Sequence, residues 1–174
     1  DYLALVYGRS IPARGTIDLR LARDGSDRRR VAASESVGAP SVTHFERLAR
    51  VPAPHVGLGL LRCRLVTGRT HQIRVHLAAR GWPIVGDPGY GEPLWPRILD
   101  RQISEALAAL RRQALHAWRL GMAHPVTGAA IDVTAAYAVA FHRYGRPRTN
   151  APPAASQMAF VGVRVRWLIL CQNF

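Results

Sequence analysis

Residues 68–91, GRTHQIRVHLAARGWPIVGDPGYG, place Arg69, Thr70, His71, Gln72 and Arg74 within six consecutive positions. That set suits the capture of an anion. A rigid guanidinium grips a carboxylate or phosphate at two points, which an ammonium cannot copy, while His71 and Gln72 add neutral donors and acceptors. The anion is a phosphate on one reading and a carboxylate on the other. A solvated basic helix start holding one structural ion pair would show the same spacing.

The flanking residues define the elements that position this cluster. Leu61, Cys63 and Leu65 alternate with Arg62 and Arg64, the period of a half-buried strand. Gly68 supplies a tight turn, Thr70 caps a helix, Ile73 and Leu77 share one helical face, and Gly81 with Pro83 stops it. Arg69 and the first helical amides then lie at the positive end of the helix dipole. His71 and His76 are five apart, about 140° around a helix at about 100° per residue, so they cannot share a metal, and no zinc site is expected.

Elsewhere, residues 2–7 and 16–21 read as strands joined by a turn at Pro12 and Gly15, and residues 42–48 as a further strand. Arg28, Arg29 and Arg30 follow Asp24, Gly25, Ser26 and Asp27 in a hairpin loop, either a phosphate contact or a solvated tip. Residues 98–113 carry Leu99, Ile103, Ala106, Leu107 and Leu110 at helical spacing, an apolar stripe suited to the core. Residues 115–122 and 129–134 flank a turn at 124–128, so His124 reads as a turn residue. Residues 146–153 are rich in breakers and read as a linker or loop. Val161, Val163 and Val165 then alternate with Gly162, Arg164 and Arg166 in an edge strand, a partner contact or an unnatural tail from a shifted reading frame.

At 174 residues the chain has the length of one domain. Twenty-four basic residues against 11 acidic ones give a net charge of +13, which attracts polyanions, and every basic residue is arginine. Lysine Schiff-base chemistry and a phosphate-binding P-loop are thereby excluded. Cys63 and Cys171 lie far apart without metal spacing, which fits a reduced, cytoplasmic protein. No apolar run reaches the roughly 18 residues that span a bilayer, and no signal peptide is evident.

The run at 68–91 resembles the signature of the RluA-like family of RNA pseudouridine synthases. Residues 2–8 resemble that family's tyrosine strand, 38–48 its segment between sheet halves, and Leu115, His116 and Ala117 with residues 124–128 its late hairpin. The resemblance implies an α/β (α+β) fold, a mixed and mainly antiparallel sheet with flanking helices. Residues 1–144 would form a catalytic domain incomplete at its N-terminus, and 145–174 a linker and tail. It implies isomerisation of uridine to pseudouridine in structured rRNA or tRNA, with no cofactor and no metal, by a protein monomeric when complete and not bound to a membrane.

Carried over residue by residue, the resemblance makes Tyr2 the tyrosine that stacks on the target base. Arg74 becomes the arginine that holds the catalytic aspartate, and Ile84 the aliphatic side chain near the tyrosine. Beside these, Arg69, Thr70, His71 and Gln72 at the helix start and Arg28, Arg29 and Arg30 in the basic loop are read from their own chemistry as candidate RNA contacts. The family's aspartate belongs to a His, Arg, Leu, Asp motif that precedes the tyrosine strand and is not found in this sequence. Asp87 reads as a turn residue. The expectation is therefore part of a synthase whose nucleophile lies upstream, inactive by itself. The alternative is a remnant that binds RNA without modifying it.

Overall fold

The computed structural model of the protein describes residues 1–27, 29–51, 57–91, 93–98, 101–110, 112–135, 141–143 and 163–165. Its centre is a five-stranded sheet of β1 (Tyr2–Tyr7), β2 (Arg14–Asp18), β5 (Val42–Val51), β6 (Leu58–Leu65) and β7 (Leu115–Ala117), in the order β2-β5-β6-β1-β7. Three two-stranded ribbons accompany it: β3 (Arg20–Arg23) with β4 (Val31–Ser34), β8 (Arg119–Ala123) with β9 (Ala130–Thr134), and β10 (Phe141–Arg143) with β11 (Val163–Val165). Every pairing among the described strands is antiparallel. The helices are α1 (Gln72–Ala79), a 3-10 turn (Trp95–Arg97) and α2 (Arg101–Ala108).

β1 is apolar at nearly every position because both of its faces are covered. Ala4 and Val6 join Leu61, Cys63 and Phe45 of the sheet against Ile73 and Leu77 of α1, and Tyr2 packs on the edge of this cluster. Leu5 and Tyr7 point the other way, with Leu58, onto Ile98, Ile103 and Leu107. The result is three layers, α1 over the sheet over α2, and β1 is tied into both cores.

Several sequence-based expectations shift. Residues 16–21 do not form one strand: β2 ends at Asp18 and β3 starts at Arg20, because β2 pairs with β5 in the main sheet while β3 leaves it to pair with β4. The helix expected over 98–113 spans only Arg101–Ala108, with Ile98 extended ahead of it at φ −90° and ψ 118°. The late strand at 115–122 is divided at Trp118, so that β7 joins the central sheet and β8 forms a separate hairpin with β9 around the expected turn at 124–128. Of the segment beyond residue 144, only Val163–Val165 is described, paired with β10. Arg28 and Cys171 lie outside the described residues.

Candidate active site

Helix α1 is fastened to the sheet by a buried polar network built on Gln72, which is 2% exposed. Its Oε1 accepts from the Thr67 hydroxyl at 2.9 Å and the Arg69 amide at 3.0 Å, and its Nε2 donates to the Val42 carbonyl and the Thr43 hydroxyl, both at 3.0 Å. One turn on, His76 is fully buried, with Nδ1 2.9 Å from the same Thr43 hydroxyl and Nε2 3.3 Å from the Leu19 carbonyl. A carbonyl only accepts, so Nε2 carries the proton and Nδ1 receives the Thr43 hydroxyl. Burial, followed by the Arg80 charge, holds the His76 pKa below its ordinary value and outweighs the Leu19 hydrogen bond and the Asp18 charge that favour protonation.

Thr70 does not cap α1. The cap position belongs to His71, which turns the chain in the left-handed region at φ 56° and ψ 15° without a capping side chain. The backbone reversal expected of Gly68 is thus made at His71. At the other end Gly81, at φ 73°, ends the helix as the sequence indicates, with its amide donating to the Ala78 carbonyl at 2.9 Å.

Arg74 points away from this network toward the loop after α1. Its Nε donates to Asp87 Oδ2 at 2.8 Å and its Nη2 to Asp87 Oδ1 at 2.6 Å, a two-point pair in which the Arg74 side chain is 15% exposed and that of Asp87 fully buried. Asp87 Oδ1 also accepts the amides of Gly89 at 2.9 Å and Tyr90 at 3.3 Å, so Asp87 organises the turn while it holds the guanidinium. Burial pushes the Asp87 carboxyl up, but the hydrogen bonds from Arg74 and Gly89, the Arg74 charge and the Tyr90 amide together hold it below its usual range. The loop itself lies along β1: Tyr7 donates its amide to the Pro83 carbonyl at 3.0 Å and Val85 donates to Leu5 at 2.9 Å. The strand of Tyr2 and the partner of Arg74 are thereby fixed to one another.

Tyr90, which sequence reasoning missed, joins two regions that the sequence keeps apart. Its hydroxyl accepts the Val31 amide at 2.9 Å and lies 2.9 Å from Nδ1 of His71. The guanidinium carbons of Arg30 and Arg74 stand 5.3 and 4.8 Å from the centre of its ring, within cation–π range. Arg30 and His71, which meet it, are exposed, as are Arg69 and Thr70 just ahead of His71 in sequence. Its signal was an aromatic residue set between Gly89 and Gly91 in a turn, where it packs only if something outside the motif meets it.

The expected site residues therefore separate into two groups. Arg30, His71 and Arg74 converge on Tyr90, and exposed Arg69 and Thr70 adjoin them in sequence. Gln72 and Ile84 are buried, both 2% exposed: Gln72 lies in the network just described and Ile84 in the core cluster on which Tyr2 packs. Arg29 is exposed and pairs with Asp27 at 3.3 Å. No group of three or more His, Cys, Asp or Glu residues that could hold a metal ion occurs among the described residues. A separate concavity of about 530 Å³ lies by Arg14, His44, Glu46, Arg62, Arg64 and Arg119, and three of its arginines are already paired, with Glu46, Asp1 and Asp132.

The chain matches known proteins in sequence and in fold. Residues 1–79 match the family described as RNA pseudouridylate synthase. The ribosomal large subunit pseudouridine synthase D of Nitrosomonas europaea is 42% identical over 127 residues, covering 73% of this chain and 34% of that protein. Its counterpart from Xanthomonas campestris is 43% identical over 136 residues, covering 78% and 39%. Among solved structures, human RNA Pseudouridylate Synthase Domain Containing 1 superposes with a TM-score of 0.60 at 30% identity, over 78% of this chain and 53% of that one. Sequence matches and fold together give the class, the RNA pseudouridine synthases. Within that class the chain belongs to the RluA-like family, in agreement with the order of its motifs. It spans between 34% and 40% of the length of the first curated relatives it matches.

Among the described residues no helix is long and apolar enough to cross a membrane.

Proposed function

We propose that the whole protein isomerises uridine to pseudouridine in RNA, and that the described residues contribute its base-facing tyrosine, Tyr2, and its orienting arginine, Arg74. The observation that carries this reading is the two-point Arg74–Asp87 pair, which fixes a charged guanidinium in a partly exposed position beside His71 and Tyr90. A guanidinium so held favours the ionised form of an approaching carboxylate and aims it. The aspartate that opens the N-glycosidic bond comes from the family's upstream motif. Asp87 is unsuited to that task, because its carboxylate is fully buried and already committed to Arg74. The target base must leave its stack to reach the site, at a cost of a few kcal/mol unless the RNA is unpaired there. The excess of arginine over acid supplies general attraction for the RNA backbone.

One observation favours a second reading, an RNA-binding remnant without catalysis: the carboxylate paired with Arg74, that of Asp87, is buried and committed to the turn. Release of tritium from RNA carrying 5-tritiated uridine separates the two. The synthase reading expects release by the whole protein and a loss of at least about 100-fold for Arg74→Ala, the scale of removing an electrostatic orienting group. Binding of RNA without release in the whole protein would establish the remnant instead.

A further inference from the structure

The β3–β4 hairpin and the start of α1 are separated by some forty residues of sequence, yet they meet at a single side chain, Tyr90. The described residues of the loop between β3 and β4 are tied to one another by hydrogen bonds. Asp24 Oδ1 accepts the amides of Ser26 and Asp27 at 2.8 and 3.3 Å, and the Arg30 and Asp24 backbones close it with bonds of 2.8 Å to Asp27 and 3.0 Å from Asp24 to Arg30. Such a loop holds its shape without holding its place. Tyr90 gives it a place: its hydroxyl takes the Val31 amide immediately after the loop, and its ring lies beneath the Arg30 guanidinium.

On its other side the same tyrosine reaches His71 through the hydroxyl and Arg74 through the ring. Asp87 offsets one of the two guanidinium charges at the ring. Arg30 makes no ion pair among the described residues, although Asp24 and Asp27 are near enough to feel its charge, and Asp27 is paired with Arg29; exposed Arg69 lies two residues before His71. The surface formed where loop and helix meet therefore carries surplus positive charge next to the Arg74 site. Its chemistry suits the phosphates of an RNA segment entering that site.

We propose that Tyr90 is a positioning residue that latches the 24–30 loop to the first turn of α1, so that Arg30 grips the backbone of the RNA segment presented to Arg74. The inference rests on the synthase reading above and adds to it a residue that acts through others. Without the latch, Arg30 keeps its charge but loses its register with Arg74.

The test uses the whole protein and a fluorescein-labelled RNA hairpin with an unpaired uridine loop, its affinity followed against salt. Arg30→Gln is expected to weaken binding several-fold and to lower the salt slope by about one phosphate contact. Tyr90→Leu is expected to do the same, and the double variant to bind no worse than Tyr90→Leu alone, since the two changes remove one interaction. Because Tyr90→Leu could disturb folding, Tyr90→Phe provides a second readout: without RNA, exchange of the Val31 amide hydrogen is expected to rise about fivefold, the effect of one lost hydrogen bond. Additive losses in the double variant, or unchanged Val31 exchange in Tyr90→Phe, would overturn the latch while leaving the synthase reading intact. Failure of the unaltered protein to bind the hairpin at low salt would overturn both.

Discussion

The hydroxyl of Thr43 lies 2.9 Å from Nδ1 of His76, and it receives the Gln72 amide at 3.0 Å while donating to that ring. One side chain of β5 thereby sets the tautomer of a histidine and the orientation of a glutamine on α1. The relay runs from Gln72 through Thr43 and His76 to the Leu19 carbonyl, and it requires a neutral ring.

That requirement makes stability depend on pH. The folded pKa of His76 lies below the ordinary value of 6.5, so the unfolded chain binds the proton more readily. The contribution is fully present above pH 6.5 and fades as the pH falls from there through the folded pKa, with a limiting slope of about 1.4 kcal/mol per pH unit. Urea unfolding between pH 5 and 8 is expected to show this slope, and His76→Gln to flatten it. An equal slope in both proteins would show that His76 is not its source.

Arg74→Ala leaves the Asp87 carboxylate buried and without its cation, at an expected cost of about 3 kcal/mol. Arg74→Lys is expected to recover part of the stability but little of the activity, because an ammonium cannot make the two-point pair. The depressed pKa of Asp87 adds a second signature: its stabilisation is present above the unfolded value of 3.8 and is lost as the pH drops through the folded one. Acid unfolding of Asp87→Asn should lack that component when compared with the unaltered protein.

Gln72 makes four hydrogen bonds with nothing left over, so Gln72→Ala strands the Arg69 amide among other groups, at an expected cost of about 2 kcal/mol. Because the residue is buried, the loss should appear in thermal melting, with the salt dependence of RNA binding unchanged. A weakened RNA affinity with an unchanged melting point would return Gln72 to the RNA-contact role that its sequence position suggests.

Gly86 sits at φ 72°, and a Cβ there would meet the Arg112 carbonyl oxygen. Gly86→Ala is expected to displace Asp87, the next residue, and to cost about 3 kcal/mol from strain and overlap together. Calorimetry checks the stability, and the tritium assay on the surviving folded fraction checks the displacement of Arg74.

The elements that sequence patterning located are those whose burial follows one simple period. β1 showed as an apolar run, α1 through Ile73 and Leu77, and the late hairpin through its turn at 124–128. The site was legible as a motif and less so as an arrangement. Asp87 lies 13 residues from Arg74 and Val31 lies 59 from Tyr90, and no local pattern reveals such partners. Thr70 carried the better capping chemistry, yet the cap fell at His71: the Gln72 amide, which a capping Thr70 hydroxyl would serve, donates instead to the Arg69 carbonyl at 3.1 Å. Gln72 has the side chain of an RNA contact and the surroundings of a core residue, and only its burial separates the two.

The order β2-β5-β6-β1-β7 also has a kinetic side. β5 and β6 are adjacent in sequence and can close as a hairpin early, whereas β1 must wait for β6 some fifty residues later and for β7 after more than a hundred. Contacts of such separation carry a large loop-closure cost and slow the search for the native pairing. During synthesis, then, the strand of Tyr2 emerges ahead of both its neighbours and is among the last to find them, leaving its apolar run in need of shelter until residue 117 has left the ribosome.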